Sequence, residues 1–232
     1  MEPKDLIAKE QEIHNLIEKL ADEDNDRYPI YDGVNDIEQY LKAKYKILFI
    51  LKEPYDESGG TGGGFSIKEI LGKGGYGRAS KTYYPLIYIS YGILNDFCPW
   101  EDMDNVQDNF EEMNNYLYKV AHVNISKLPS LNTTKTNISD IIYAYAKDKE
   151  NDRIVLKQID TYQPDIIIGC GIGNLLFADL ELYQPENTRG FRSRKYPDLI
   201  YIGTYHPANR TMVQEEYVDY VVGVAREMLS KE

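Results

Sequence analysis

The chain has 232 residues, 42% of them hydrophobic and 28% charged, a length and balance expected of one globular domain with a sizeable core. A net charge of −12 argues against a protein that coats nucleic acid. No apolar stretch approaches the roughly 18 residues needed to span a bilayer, and the acidic, polar start is not a signal peptide. Two cysteines, Cys98 and Cys170, give no disulfide framework and too few ligands for a four-cysteine metal or iron–sulfur site. A reducing cytoplasm, no metal and no cofactor are therefore expected.

In chain order, Leu6, Ile13, Leu16, Ile17 and Leu20 fall near one face and predict a helix over 3–21. An irregular acidic stretch runs to about residue 35, and a short helix ends near Ala43. Residues 45–51 read as a buried strand. Glycine clusters follow at 59–64 and 72–77. Helices are predicted over 84–94 and 105–119, and a short strand over 120–125. Residues 137–147 and 150–162 read as helices, with Asn151 or Asp152 near a cap. Pro164-Asp165 opens the strand Ile166-Ile167-Ile168-Gly169-Cys170, and Gly171 begins a turn into a helix over 173–180. Residues 200–203 form the last core strand and 214–230 a C-terminal helix. Continuous apolar strands alternating with helices indicate α/β architecture, with a mostly parallel sheet covered on both faces. No repeat or linker divides the chain, so 1–232 is read as a single domain.

Two segments about 150 residues apart carry chemistry. Leu51-Lys52-Glu53-Pro54-Tyr55-Asp56 follows the first strand, and Tyr205-His206-Pro207-Ala208-Asn209-Arg210 follows the last. Each puts an ionisable residue beside a proline at a strand exit. Strand exits are where ligands sit in open α/β sheets. A carboxylate and an imidazole brought to one edge can act as water activator and anion stabiliser. Charge is also uneven. Residues 1–40 carry twelve Asp/Glu against four Lys/Arg, whereas residues 186–212 and 61–81 are each locally +3. A basic run alone reads as a solvated loop; here both runs adjoin the motifs.

The two segments resemble the signature motifs of the uracil-DNA glycosylase superfamily. The resemblance covers roughly residues 45–212, leaving 1–40 as an acidic helical extension. It implies a central, mostly parallel four-stranded sheet flanked by helices. In the first motif Glu53 takes the acidic water-activating position, one methylene longer than Asp and so reaching about 1.5 Å further. Tyr55 matches the tyrosine set against the pyrimidine C5 edge. Asp56 stands where His is common, and Leu51 where Gly is common. Phe65, followed by Ser66, matches the base-stacking phenylalanine, a contact of about 1–3 kcal/mol. Asn124, at the end of a strand, matches the amide that reads the base edge, with Lys127 and Pro129 following at family spacing. His206 matches the donor to the pyrimidine O2, worth about 2.7–4 kcal/mol in comparable sites. Arg210 takes the wedge position that fills the gap of an extruded base, and Asn209 replaces a proline beside it.

The resemblance thus implies a monofunctional DNA glycosylase that flips out and hydrolyses uracil or another modified pyrimidine. Glu53 and His206 would be catalytic, and Tyr55, Phe65 and Asn124 would hold the base. Arg210, Asn209, Arg192, Arg194 and Lys127 would contact single- or double-stranded DNA. The enzyme would be a cytoplasmic monomer needing neither metal nor cofactor. No lysine falls in a motif position for Schiff-base chemistry, so an abasic site without strand scission is expected. Three alternatives stay open: a glycosylase of hypermodified phage bases serving defence, a non-catalytic DNA- or protein-binding module, and a hydrolase of free nucleosides or nucleotides. Plainer readings exist for the remaining motifs. His122 reads as structural. The glycine run 59–64 lacks the Gly-Lys-Ser/Thr ending of a nucleotide loop, and Gly169 to Gly173 reads as tight strand–helix packing.

Overall fold

The computed structural model describes residues 1–22, 26–55, 62–71, 76–130, 138–147, 153–209 and 211–230, without the side chains of Arg78 and Lys147. Seven strands form one mixed sheet in the order β1-β3-β2-β4-β7-β6-β5. Its middle is parallel: β3 (Ala121–Asn124), β2 (Ile47–Leu51), β4 (Ile166–Cys170) and β7 (Ile200–Thr204). β1 (Gly33–Val34) adds antiparallel to β3 at one rim. β6 (Phe191–Ser193) and β5 (Leu182–Tyr183) add antiparallel beyond β7 at the other. The expected four-stranded sheet is therefore corrected to seven. The three extra strands are two or three residues long, too short to show an alternation in sequence.

Alternation along β2 explains why both faces are covered. Ile47, Phe49 and Leu51 turn to one core, Leu48 and Ile50 to the other. The first core is closed by α3 (Ser80–Leu94), α4 (Phe110–Tyr118) and α7 (Gln214–Leu229). The second is closed by α1 (Pro3–Ile17), α2 (Ile37–Lys42), α5 (Ile138–Lys147) and α6 (Ile154–Tyr162). Asp36 caps α2, its Oδ1 accepting the Gln39 N–H at 2.9 Å.

Several boundaries differ from the sequence reading. The segment 173–180 is a chain of turns rather than a helix. Gly171, Gly173 and Glu181 all sit at positive φ (72°, 57° and 49°), and Leu182 N–H closes back on Phe177 O at 2.9 Å. α4 begins at Phe110, not near 105, because the Asn105 side chain accepts the Gln107 N–H at 2.8 Å and holds a turn instead. α3 begins four residues before the expected start and carries Pro85 within it. Asn151 and Asp152, read as cap candidates for α6, lie outside the described residues.

The acidic N-terminal segment is integral to the fold. Glu10 of α1 is buried; it accepts the Val34 N–H at 2.9 Å and the Lys68 ammonium at 2.7 Å. Gly33 permits that approach, since a Cβ there would lie 2.5 Å from Glu10 Oε1 and 2.6 Å from Tyr162 Oη. Residues 26–31 also pair with the end of the glycine-rich segment: Tyr28 N–H donates to Gly62 O at 2.7 Å and Tyr31 N–H to Phe65 O at 2.9 Å.

Candidate functional site

Because β3, β2, β4 and β7 are parallel, their four C-terminal ends open on one edge of the sheet. Asn124, Glu53, Gly171 and His206 follow one another along that edge. Glu53 is half-buried just past β2. The residues on either side of it are anchored to the β3 exit: Ser126 N–H donates to Lys52 O at 2.9 Å, and Ser130 N–H to Pro54 O at 3.0 Å. These bonds fix the backbone from which the Glu53 side chain projects.

His206 leaves β7 two strands away, about 10 Å across the sheet. Its loop is built by its own residues. Ala208 N–H donates to His206 Nδ1 at 3.2 Å and Asn209 N–H to His206 O at 2.8 Å. Asn209 Oδ1 then accepts the N–H groups of Thr211 and Met212, both at 2.9 Å. The loop is thus held by an Asn-centred turn. Buried Tyr217 of α7 holds the preceding residue, its hydroxyl donating to Tyr205 O at 2.9 Å.

With Nδ1 accepting, the neutral imidazole carries its proton on Nε2. Burial, then the nearby positive charge of Lys52, lowers the His206 pKa to about 4. At neutral pH His206 is an uncharged Nε2–H donor. Gly171 lies between the two motifs, its N–H bonded to Thr204 O at 2.7 Å. A Cβ on Gly171 would come within 2.9 Å of Lys52 Cε and 3.0 Å of His206 N. Lys52 Cε and the His206 main chain therefore both lie close to Gly171 at the end of β4.

Asn124 is 4% exposed at the β3 exit, its backbone N–H donating to Asp32 Oδ2 at 2.7 Å and its Nδ2 to the same oxygen at 3.4 Å. With Nδ2 turned to Asp32, Oδ1 is the atom left to accept an N–H from a ligand. Tyr55 is 46% exposed, next to Pro54. Asp56 and Arg210 lie outside the described residues, as do 59–61 and 72–75 of the glycine clusters.

Three expected DNA contacts are not presented to solvent at this edge. Lys127 does not face solvent: its side chain is 2% exposed, and its ammonium donates to Asp32 Oδ1 at 2.8 Å, Gln158 Oε1 at 2.8 Å and Asn124 O at 2.7 Å. Buried ammonium groups are paired, and this one is. Arg192 and Arg194 lie toward the opposite end of the sheet, because Arg192 pairs with Ile200, the first residue of β7. Arg192 donates to Met228 O at 2.9 Å, and Arg194 stacks over the Tyr183 ring. Phe65 is half-buried against the first core and lines a groove of about 270 Å³ with His14, Glu18 and Tyr31. Sequence reasoning passed over Lys52, Gly171 and Asp32. Lys52 adjoins Glu53 in the first motif, a signal that was present; Asp32 is one of many acids in its segment.

Among the described residues no group of His, Cys, Asp and Glu could hold a metal ion, and no helix is long and apolar enough to cross a membrane. No protein-family model matches the chain, and no curated protein sequence matches it.

Proposed function

We propose that the chain hydrolyses N-glycosidic bonds in the manner of a DNA glycosylase, releasing uracil or another modified pyrimidine from an extruded nucleotide. The observation that carries this reading is the placement of Glu53, between two backbone positions bonded to the β3 exit, and of a neutral Nε2–H donor, His206, at exits of the parallel strands of one sheet. Glu53 would orient water toward C1′ and take its proton. As the C1′–N bond breaks, its electron pair passes to the base and its carbonyl oxygen. His206 Nε2–H would donate to that oxygen, and an uncharged donor can do so without giving up its own proton. Asn124 Oδ1 would accept the base N–H.

The test is a glycosylase assay on labelled oligonucleotides bearing uracil, thymine mismatches, 5-hydroxymethylcytosine and its glucosylated form. Alkali-dependent cleavage at one base, lost in Glu53→Gln and His206→Ala, is the expected result. No cleavage of any substrate by folded protein overturns the reading.

A second reading, hydrolysis of a free nucleoside or nucleotide, is favoured by the positions of Lys127, Arg192 and Arg194, none of which can hold a DNA backbone at this edge. Mononucleoside turnover that is insensitive to salt would support it, because binding through several phosphates weakens steeply with salt.

A further inference from the structure

Lys52 is half-buried at the strand exits, directly before Glu53. The other partly or fully buried lysines nearby have carboxylate partners: Lys127 has Asp32 and Lys68 has Glu10. Among the described residues, no hydrogen bond or ion pair engages the Lys52 ammonium. Its stem and His206 converge on one point, the place where a Cβ on Gly171 would be (2.9 Å from Lys52 Cε, 3.2 Å from His206 Cβ). Any side chain at 171 would separate the two. The arrangement brings the Lys52 stem and the His206 main chain to the same spot, close enough for the Lys52 charge to lower the His206 pKa, and among the described residues no carboxylate pairs with Lys52. Partly desolvated charge is costly unless something answers it, and an anionic ligand seated here would answer it.

We propose that Lys52 and His206 together form an anion seat above Gly171, and that Lys52 is a further catalytic residue that takes the negative charge of the departing pyrimidine. This rests on the glycosidic-bond reading above. In the step concerned, the C1′–N bond breaks and its electron pair leaves with the base as an imide anion delocalised onto the carbonyl oxygen. Water adds to C1′, and its proton goes to the Glu53 carboxylate. The ammonium of Lys52 keeps its own proton throughout and acts by charge; the released anion is protonated later by solvent. Since that charge exists only as the bond breaks, its stabilisation raises kcat rather than tightening ground-state binding.

The experiment compares wild type, Lys52→Met, Lys52→Arg and Glu53→Gln, each first shown to unfold at a wild-type-like temperature. Two readouts are taken. The first is kcat and KM on oligonucleotides carrying uracil and 5-fluorouracil, the latter the more acidic leaving base. Lys52→Met is expected to lower kcat on the order of 10²-fold with little change in KM. The loss should be smaller for 5-fluorouracil, and Lys52→Arg should restore most of the rate. The second is binding of barbiturate, a pyrimidine that is anionic at neutral pH, followed through the His206 imidazole resonances. Binding should weaken about tenfold in Lys52→Met and persist in Glu53→Gln. The imidazole pKa should also rise in Lys52→Met as the neighbouring charge is removed.

Cleavage by wild type with unchanged kcat and unchanged leaving-base dependence in Lys52→Met overturns the role of Lys52 and leaves the glycosylase reading standing. Barbiturate binding that needs Lys52, without cleavage of any substrate, keeps the anion seat and removes both the glycosylase reading and the catalytic role. Absence of both overturns the whole proposal.

Discussion

His122 shows how a single side chain sets a limit on the fold. It sits in β3 opposite Phe49, with its ring edge-on to Tyr83 at 5.7 Å between centroids. Both imidazole nitrogens are buried and, among the described residues, have no hydrogen-bond partner. Burial lowers its pKa from 6.5 to about 4, against a smaller opposing pull from Asp32. The folded state therefore binds fewer protons than the unfolded chain between those values. Stability is fully present above about pH 6.5 and falls as pH drops through the window toward 4. His206 acts in the same direction. In urea unfolding from pH 7 to pH 4, a His122→Leu variant should lose roughly 3 kcal/mol less than wild type. Parallel pH profiles for the two proteins would refute this. The sequence reading took His122 as structural, and the structure buries it within β3. The sequence could not show that both nitrogens go unanswered, since that depends on what packs across from β3.

At the scale of elements, one buried network ties the acidic segment to the sheet. Asp32 receives Lys127 and the Gln158 Nε2, the latter at 2.9 Å, and Asn124 joins through its backbone. Segment 30–32, the β3 exit and α6 are thereby fixed to one another, and the strand end that carries Asn124 is held in place. Removing one member of a buried ion pair strands the other, so Lys127→Met should cost about 3–5 kcal/mol in denaturant unfolding. Adding Asp32→Leu should recover much of that loss, whereas an undiminished loss in the double variant would mean that Lys127 contributes mainly by packing. The long strands were legible because each is a continuous apolar run bounded by turn residues. Lys127 was misread for a definite reason: a lysine after a strand looks like a phosphate contact until its acid is known, and Asp32 lies 95 residues away. The Glu53 and His206 positions were legible because local order, strand then proline, is enough to place them at strand exits. The surroundings of Phe65 were not, because the groove it lines is built with residues of α1 and with Tyr31.

For the whole molecule, the sheet has a polarity that separates the candidate site from Arg192 and Arg194. The four parallel strands deliver Asn124, Glu53, Gly171 and His206 to one end, while Arg192 and Arg194 lie toward the other. An Arg192→Ala, Arg194→Ala double variant should therefore turn over the preferred substrate within about twofold of wild type, as surface changes away from a site usually do little. A tenfold loss in kcat/KM would mean that the substrate reaches around the sheet. A seven-stranded sheet also has two rims, and both end in strands of two residues, β1 and β5. A rim that short offers an approaching chain only a few backbone groups to pair with. The native protein thus gives little template for strand addition, so fibre growth or sheet-to-sheet dimerisation would have to begin from a partly opened chain.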